Sequence, residues 1–277
     1  MQSLEQVGHW PVDHSAAAVI ADGGVLGEFG DAERVFPLAS VTKLLVAYAV
    51  LVAVEEGAVE LDQPAGPPGS TVRHLLAHTS GLAFDTDRVQ AEPGQRRIYS
   101  SSGFEALAAF VAGQTGIDFP VYLKEAVFEP LGMVSSALVG SAGSGAESSL
   151  HDLCRFAAEL LQPRLLAADT RNTATRVQFP GLSGLLPGYG SQRPNDWGLG
   201  FEIRGGKSPH WTGLTNSVAT YGHFGQSGTF LWVDPDTRVG CVVLTDRPFG
   251  DWAKPLWTQL SDAVLAEART VAQPTHW

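Results

Sequence analysis

Ser40-Val41-Thr42-Lys43 is an S-x-x-K, the first point in the chain where residue type and spacing could do chemistry. On a helix, three residues is almost one turn, so the hydroxyl and the ammonium share a face. A serine hydroxyl is a poor nucleophile by itself and needs a base. Lysine can be that base when burial or a neighbouring cation keeps part of it neutral. A helix start adds free amides and positive partial charge where an oxyanion would form. The same four residues also read as a serine N-cap with a lysine in the first turn, and the tetrapeptide alone does not separate the two. The setting favours chemistry. Lys43 opens the apolar run Leu44 to Val54, and only three other lysines exist, Lys124, Lys207 and Lys254. A lysine heading a buried helix is costly unless it is paired or used.

Two further segments could complete a site. Tyr99-Ser100-Ser101 lies on a loop just before a helical pattern, where the Tyr99 hydroxyl could take or relay a serine proton. The alternative is a ring packed at a helix entrance. Gly222-His223-Phe224-Gly225-Gln226-Ser227-Gly228-Thr229 precedes the strand pattern at Phe230 to Val233. Its glycines let backbone approach a ligand closely, and His223 could donate to a substrate or orient the tyrosine. The alternative is a glycine-rich turn into an edge strand. His74 and His78 stand at a metal-ligand spacing, but no H-E-x-x-H and no third ligand accompany them, so they read as structural. Gly206-Lys207-Ser208 mimics the end of a P-loop without its first glycine or a βαβ unit. No G-x-S-x-G occurs, which removes the α/β-hydrolase elbow.

The elements that must position these groups follow from periodicity. Residues 16–20 and 25–30 flank a turn signal and read as a hairpin. Ser40 to Glu56 has no Gly or Pro, is apolar on nearly every face and stops at Gly57: a buried helix. Helices are also expected over 71–78, 104–115, 119–128, 150–161 and 253–269. Residues 163–196, rich in Gly, Pro, Asn and Ser, read as mostly irregular. Strand patterns return at 200–204, 230–233 and 240–244. The expected fold is α/β of the α+β type, an antiparallel sheet joining the two chain ends with flanking helices and an inserted helical part. Residues 1–60 and 195–277 would form a sheet subdomain carrying Ser40 and His223, and 61–194 a mainly helical insert carrying Tyr99.

Composition excludes some partners. The 277 residues are 44% hydrophobic and 17% charged, with a net charge of −11 and no Lys/Arg cluster. Nucleic acid and anionic membrane surfaces are therefore not expected partners. The longest apolar run, eleven residues, is too short to cross a bilayer. No signal-peptide pattern opens the chain, so a cytoplasmic location is expected. Cys154 and Cys241 read as two buried thiols rather than a disulfide.

The three motifs, in this order, resemble the penicillin-recognising serine hydrolases, the clan of class C β-lactamases, D-alanyl-D-alanine carboxypeptidases and related esterases. HLLAHTSGL, EPLGM, WGLGFEI and HFGQSGTFLWVDPDTRVGCVVLTDR look like recurrent blocks of that clan, and the likeness covers roughly residues 16–268. The resemblance implies that Ser40 is acylated and that Lys43 is its general base. It matches Tyr99 to the tyrosine of the Tyr-x-Asn element and His223-Phe224-Gly225 to the Lys-Thr-Gly or His-x-Gly element. The amides of Ser40 and Gln226 would form the oxyanion hole. Ser101 stands where β-lactamases of this type usually have asparagine, and His223 where they have lysine. Those departures favour ester or amide cleavage over efficient β-lactam turnover. The expected substrate is a small ester, amide or short peptide, with no metal and no cofactor. Two other readings are a D-amino-acid peptidase or carboxypeptidase, and a penicillin-binding-like protein that binds without turnover. Specificity would lie in 163–196 and around Trp197 and Trp211.

Overall fold

The computed structural model describes residues 1–22 and 24–272. The first part of the chain holds β1 (Ser15–Ala21), β2 (Gly24–Gly30), β3 (Val35–Pro37) and α1 (Thr42–Glu55). The middle holds α2 (Val72–Leu76), α3 (Ser101–Thr115), α4 (Phe119–Leu123), α5 (Glu129–Leu131), β4 (Ala137–Leu138) and β5 (Ala146–Ser149). Then come α6 (Leu150–Leu161), α7 (Ala168–Ala174) and the short strands β6 (Gly184–Leu186) and β7 (Gly190–Gln192). The last part holds β8 (Glu202–Ile203), β9 (Tyr221–Gly225), β10 (Thr229–Asp234), β11 (Val239–Thr245) and α8 (Ala253–Ala272).

The main sheet has the order β2-β1-β11-β10-β9-β8, each pair antiparallel. Pairing of β1 with β11 joins the two ends of the chain, as the sequence led us to expect. Successive strand residues point to opposite faces, and β10 shows what each face buries. Phe230 and Trp232 pack with Ala17, Val19, Cys241 and Val243 under α8, through Trp257, Leu260 and Val264. Leu231 and Val233 face the other way, onto one apolar cluster that includes α1, α3 and α6. Helix α1 is buried continuously from Thr42 to Ala53, which explains its apolar residues on every side. The sheet and the helical part thus share one core.

Several expectations need correction. The stretch 163–196 is mostly irregular, as expected, but it also holds α7 and the β6–β7 hairpin. The glycine-rich segment is strand β9 as far as Gly225 and then a turn into β10, and β10 lies inside the sheet between β11 and β9, so it is no edge strand. The helix expected from Ser40 begins instead with a 3-10 turn, Ala39–Val41. Helix α3 starts at Ser101, earlier than periodicity suggested, because the Ser100 hydroxyl accepts from the Gly103 amide at 2.9 Å. The 119–128 helix breaks into α4 and a π turn over Lys124–Phe128. Cys154 and Cys241 are both free and buried. Among the described residues no single helix is long and apolar enough to cross a membrane.

Candidate active site

The turn before α1 is built around a strained residue. Ala39 has φ 45°, a left-handed conformation costing a non-glycine residue about 1–3 kcal/mol. Ser40 follows it, and its amide belongs to the first turn of a helix, where N–H groups have no intrahelical partner. Strand β9 lies against this turn. A Cβ at Gly225 would stand 2.3 Å from the Leu38 carbonyl oxygen and 3.2 Å from the Ala39 Cβ, so only glycine allows the approach. Gln226 comes next, at the turn that Gly228 closes by donating its amide to the Gly225 carbonyl at 3.0 Å. Backbone packing therefore brings Ser40 and Gln226 to one place.

Lys43 is fully buried and faces three acceptors. Its Nζ lies 2.7 Å from the Gly143 carbonyl oxygen, 3.1 Å from Ser101 Oγ and 3.5 Å from Ser40 Oγ. The same Nζ stands 4.6 Å from the centre of the Tyr99 ring. Burial pushes the ammonium down to about 7, against the pull of Glu105 in the other direction. Near neutral pH a large share of Lys43 is then the free amine, the form that accepts a proton. Tyr99 differs. Burial raises its phenol above the ordinary value, and a hydrogen bond with the Ser40 side chain offsets only part of that. Of the two groups beside Ser40, Lys43 is the one poised to gain a proton and Tyr99 the one that keeps its own.

His223 supplies no charge. Its Nδ1 donates to the Phe224 carbonyl at 2.6 Å, since a carbonyl only accepts, and this leaves Nε2 as an acceptor. Among the described residues that buried Nε2 has no partner. Burial first, and Lys43 second, bring the imidazole down to about 3, so it is neutral at physiological pH. His78 is also held neutral by burial and packs against Tyr99 and Trp197, ring centres 4.8 and 4.5 Å away. Its Nδ1 accepts the Ser100 amide at 3.1 Å, fixing the loop that carries Tyr99. His74 has a different task, a reciprocal cap with Thr71 at the start of α2. No cluster of potential metal ligands occurs among the described residues.

A pocket of about 60 Å³, room for a few water molecules, opens beside these groups. Ser40, Tyr99, His223 and Gln226 line it together with Trp197 and Trp211. The structure thus brings together Ser40, Lys43, Tyr99, Ser101, His223, Gly225 and Gln226. Sequence reasoning missed the Gly143 carbonyl and Glu202, which also lines the pocket. The run Gly140 to Gly145 was one signal: a Cβ at Gly143 would come 2.8 Å from the Ser101 Cβ, so the loop needs small residues. Glu202 sat inside an ordinary strand pattern and gave none.

The Glu105 effect is testable. Glu105→Gln removes the carboxylate that favours charged Lys43, so the amine should lose its proton more readily. The acidic limb of the kcat/KM pH profile is expected to move to lower pH. An unmoved limb, or one displaced upward, would count against Lys43 as the titrating base.

The family model described as beta-lactamase matches residues 14–265. A crystal structure of a beta-lactamase from Mycobacterium bovis is 62% identical, with a TM-score of 0.95 over 96% of this chain and 99% of that one. Esterase EstB of Burkholderia gladioli is 26% identical over 328 residues, 84% of this chain and 83% of its own. The D-alanyl-D-alanine-carboxypeptidase/endopeptidase AmpH of Escherichia coli is 22% identical over 283 residues, 78% of this chain and 71% of its own. The chain belongs to the beta-lactamase family.

Proposed function

We propose that the chain is a serine hydrolase that cleaves a small ester or amide through an acyl-enzyme on Ser40. The observation that carries this reading is Lys43, buried within 3.5 Å of Ser40 Oγ and brought down to about 7. Oγ forms a bond to the substrate carbonyl carbon while its proton passes to the Lys43 amine. The amides of Ser40 and Gln226 hold the oxyanion. As the carbon–leaving-group bond breaks, Tyr99 gives its proton to the departing oxygen or nitrogen and regains one from Lys43. Water then attacks the acyl carbon and frees Ser40 by the reverse transfers.

Neutral His223 favours this reading over rapid β-lactam turnover or carboxypeptidase action. Both of those substrates carry a carboxylate, and an uncharged acceptor at that position does not attract one. The test is hydrolysis of p-nitrophenyl butyrate by the wild type and by Ser40→Ala, with folding followed by circular dichroism. Activity is expected to fall at least about a thousandfold in the folded variant. Equal activity in both would reject Ser40 as the nucleophile.

A further inference from the structure

Beyond the small pocket lies a larger one of about 580 Å³, within the size range of small-molecule sites. Phe84, Tyr99 and Pro187 border both. Two segments enclose the larger pocket, and both are tied down. The Arg97 amide donates to the Ser183 carbonyl at 3.2 Å, joining the Tyr99 loop to the β6–β7 hairpin. A Cβ at Gly184 would stand 2.3 Å from the Arg97 carbonyl oxygen, so the two backbones are in close contact. Phe84 is held from its other side, its carbonyl accepting the Ser101 amide at 2.7 Å. The pocket therefore exists before any ligand arrives.

Its charge is one-sided. Arg96, Arg97 and Arg193 line it, and among the described residues no Asp or Glu does. The Arg97 guanidinium is already committed to the carbonyls of Asn195, Ala77, Gln178 and Phe179. Arg96 and Arg193 are exposed, and neither belongs to an ion pair among the described residues. In a protein with net charge −11, two uncommitted guanidinium groups bordering the pocket next to Ser40 form a local exception. Ile98, Leu185, Phe84 and Pro187 supply apolar wall to the same pocket. Because His223 is neutral, these arginines are the cations available to an anionic substrate on this side of the site.

We propose that this pocket is a specificity subsite in which Arg96 and Arg193 receive a carboxylate carried by the substrate, beyond a short apolar spacer from the reacting carbonyl. The assignment rests on the reading of Ser40 as nucleophile, and the test separates the two. Three probes share one reaction: neutral p-nitrophenyl butyrate, mono-p-nitrophenyl glutarate with its carboxylate on the acyl side, and 4-carboxyphenyl butyrate with its carboxylate on the leaving group. Each is titrated calorimetrically into folded Ser40→Ala, so binding is read without turnover. At least one anionic ester is expected to bind about tenfold more tightly than neutral p-nitrophenyl butyrate. That preference should collapse toward unity in Ser40→Ala carrying R96Q and R193Q, and shrink as salt is raised. Which anionic ester gains tells which side of the scissile bond enters the pocket. No preference for either anion, or a preference that survives the double arginine change, would overturn the proposal. Hydrolysis that persists in Ser40→Ala would instead overturn the nucleophile assignment.

Discussion

Lys43→Met is expected to lower the kcat for p-nitrophenyl butyrate by about a thousandfold or more while the protein stays folded. Methionine is similar in length and apolar, so it fills the site without a buried charge. Replacing a buried ion by an apolar side chain is often neutral or stabilising. The opposing cost is that the Gly143 carbonyl and Ser101 lose the donor now at 2.7 and 3.1 Å. Each unsatisfied group costs about 1–3 kcal/mol, so the change in stability should be modest beside the change in rate. Lys43→Arg sharpens the comparison. Arginine keeps the positive charge and the donors but does not give up its proton, so it should be inactive too. A purely structural lysine would tolerate arginine and would lose stability as methionine. If Tyr99 were the base, the methionine variant would recover rate steeply at alkaline pH, as the phenol ionised. Activity retained by either variant near pH 7 would reject the Lys43 assignment.

Glu202→Ala should destabilise the protein by about 3–5 kcal/mol, a large part of a typical folding free energy. Glu202 is fully buried and gathers three donors. Lys207 donates to it, His210 Nε2 lies 3.0 Å from each carboxylate oxygen, and Trp211 Nε1 donates at 2.6 Å. Alanine would leave the Lys207 ammonium inside the protein with only the carbonyls of Asp196 and Ile203, and would leave two ring donors unpaired. Burial by itself would raise the Glu202 pKa, but His210 and Lys207 outweigh it and hold the carboxyl below its ordinary range. The sign follows from that. Because the folded value lies below the unfolded one, the carboxylate stabilises above the ordinary carboxylate range, and this is lost as pH falls through the folded value. Chemical denaturation at pH 7 measures the loss, and the apparent Tm should drop by roughly 10 °C. The same substitution frees Trp211, a wall of the small pocket, so KM should rise as well. A variant as stable as the wild type at pH 7 would show that the cluster contributes no net stabilisation.

Glu202 also links stability to the site. It lies on β8, which pairs with β9, where His223 stands. Its charge thus fixes one wall of the pocket while His223, held neutral, forms another. Arg96 and Arg193 stand farther out, on the larger pocket. In that respect the site departs from the β-lactamases of the clan it resembles, in which lysine is usual at the position of His223, and keeps the clan's His-x-Gly form.

The sequence by itself determined the elements whose residues are locally consistent. An apolar run of eleven residues with no Gly or Pro is too long for an ordinary strand and reads as a central helix, and α1 is buried along Thr42 to Ala53. Short apolar runs flanked by turn signals toward both chain ends predicted an antiparallel sheet joining them, and β1 pairs with β11. Ser40 and Lys43 were legible because three residues along a helix fix their relation without help from the rest of the fold. Only the tertiary structure decided what depends on distant segments meeting. The carbonyl that holds Lys43 comes from residue 143, the wall of the pocket from residue 84, and the Glu202 cluster from a strand pattern that hides its buried charge. The 3-10 turn at Ala39 and the hairpin inside 163–196 were equally invisible. Their conformations are set by packing, by β9 against Leu38 and by Gly184 against Arg97, rather than by local propensity. Periodicity reports which face of an element is buried, and it carries no information about what that face meets.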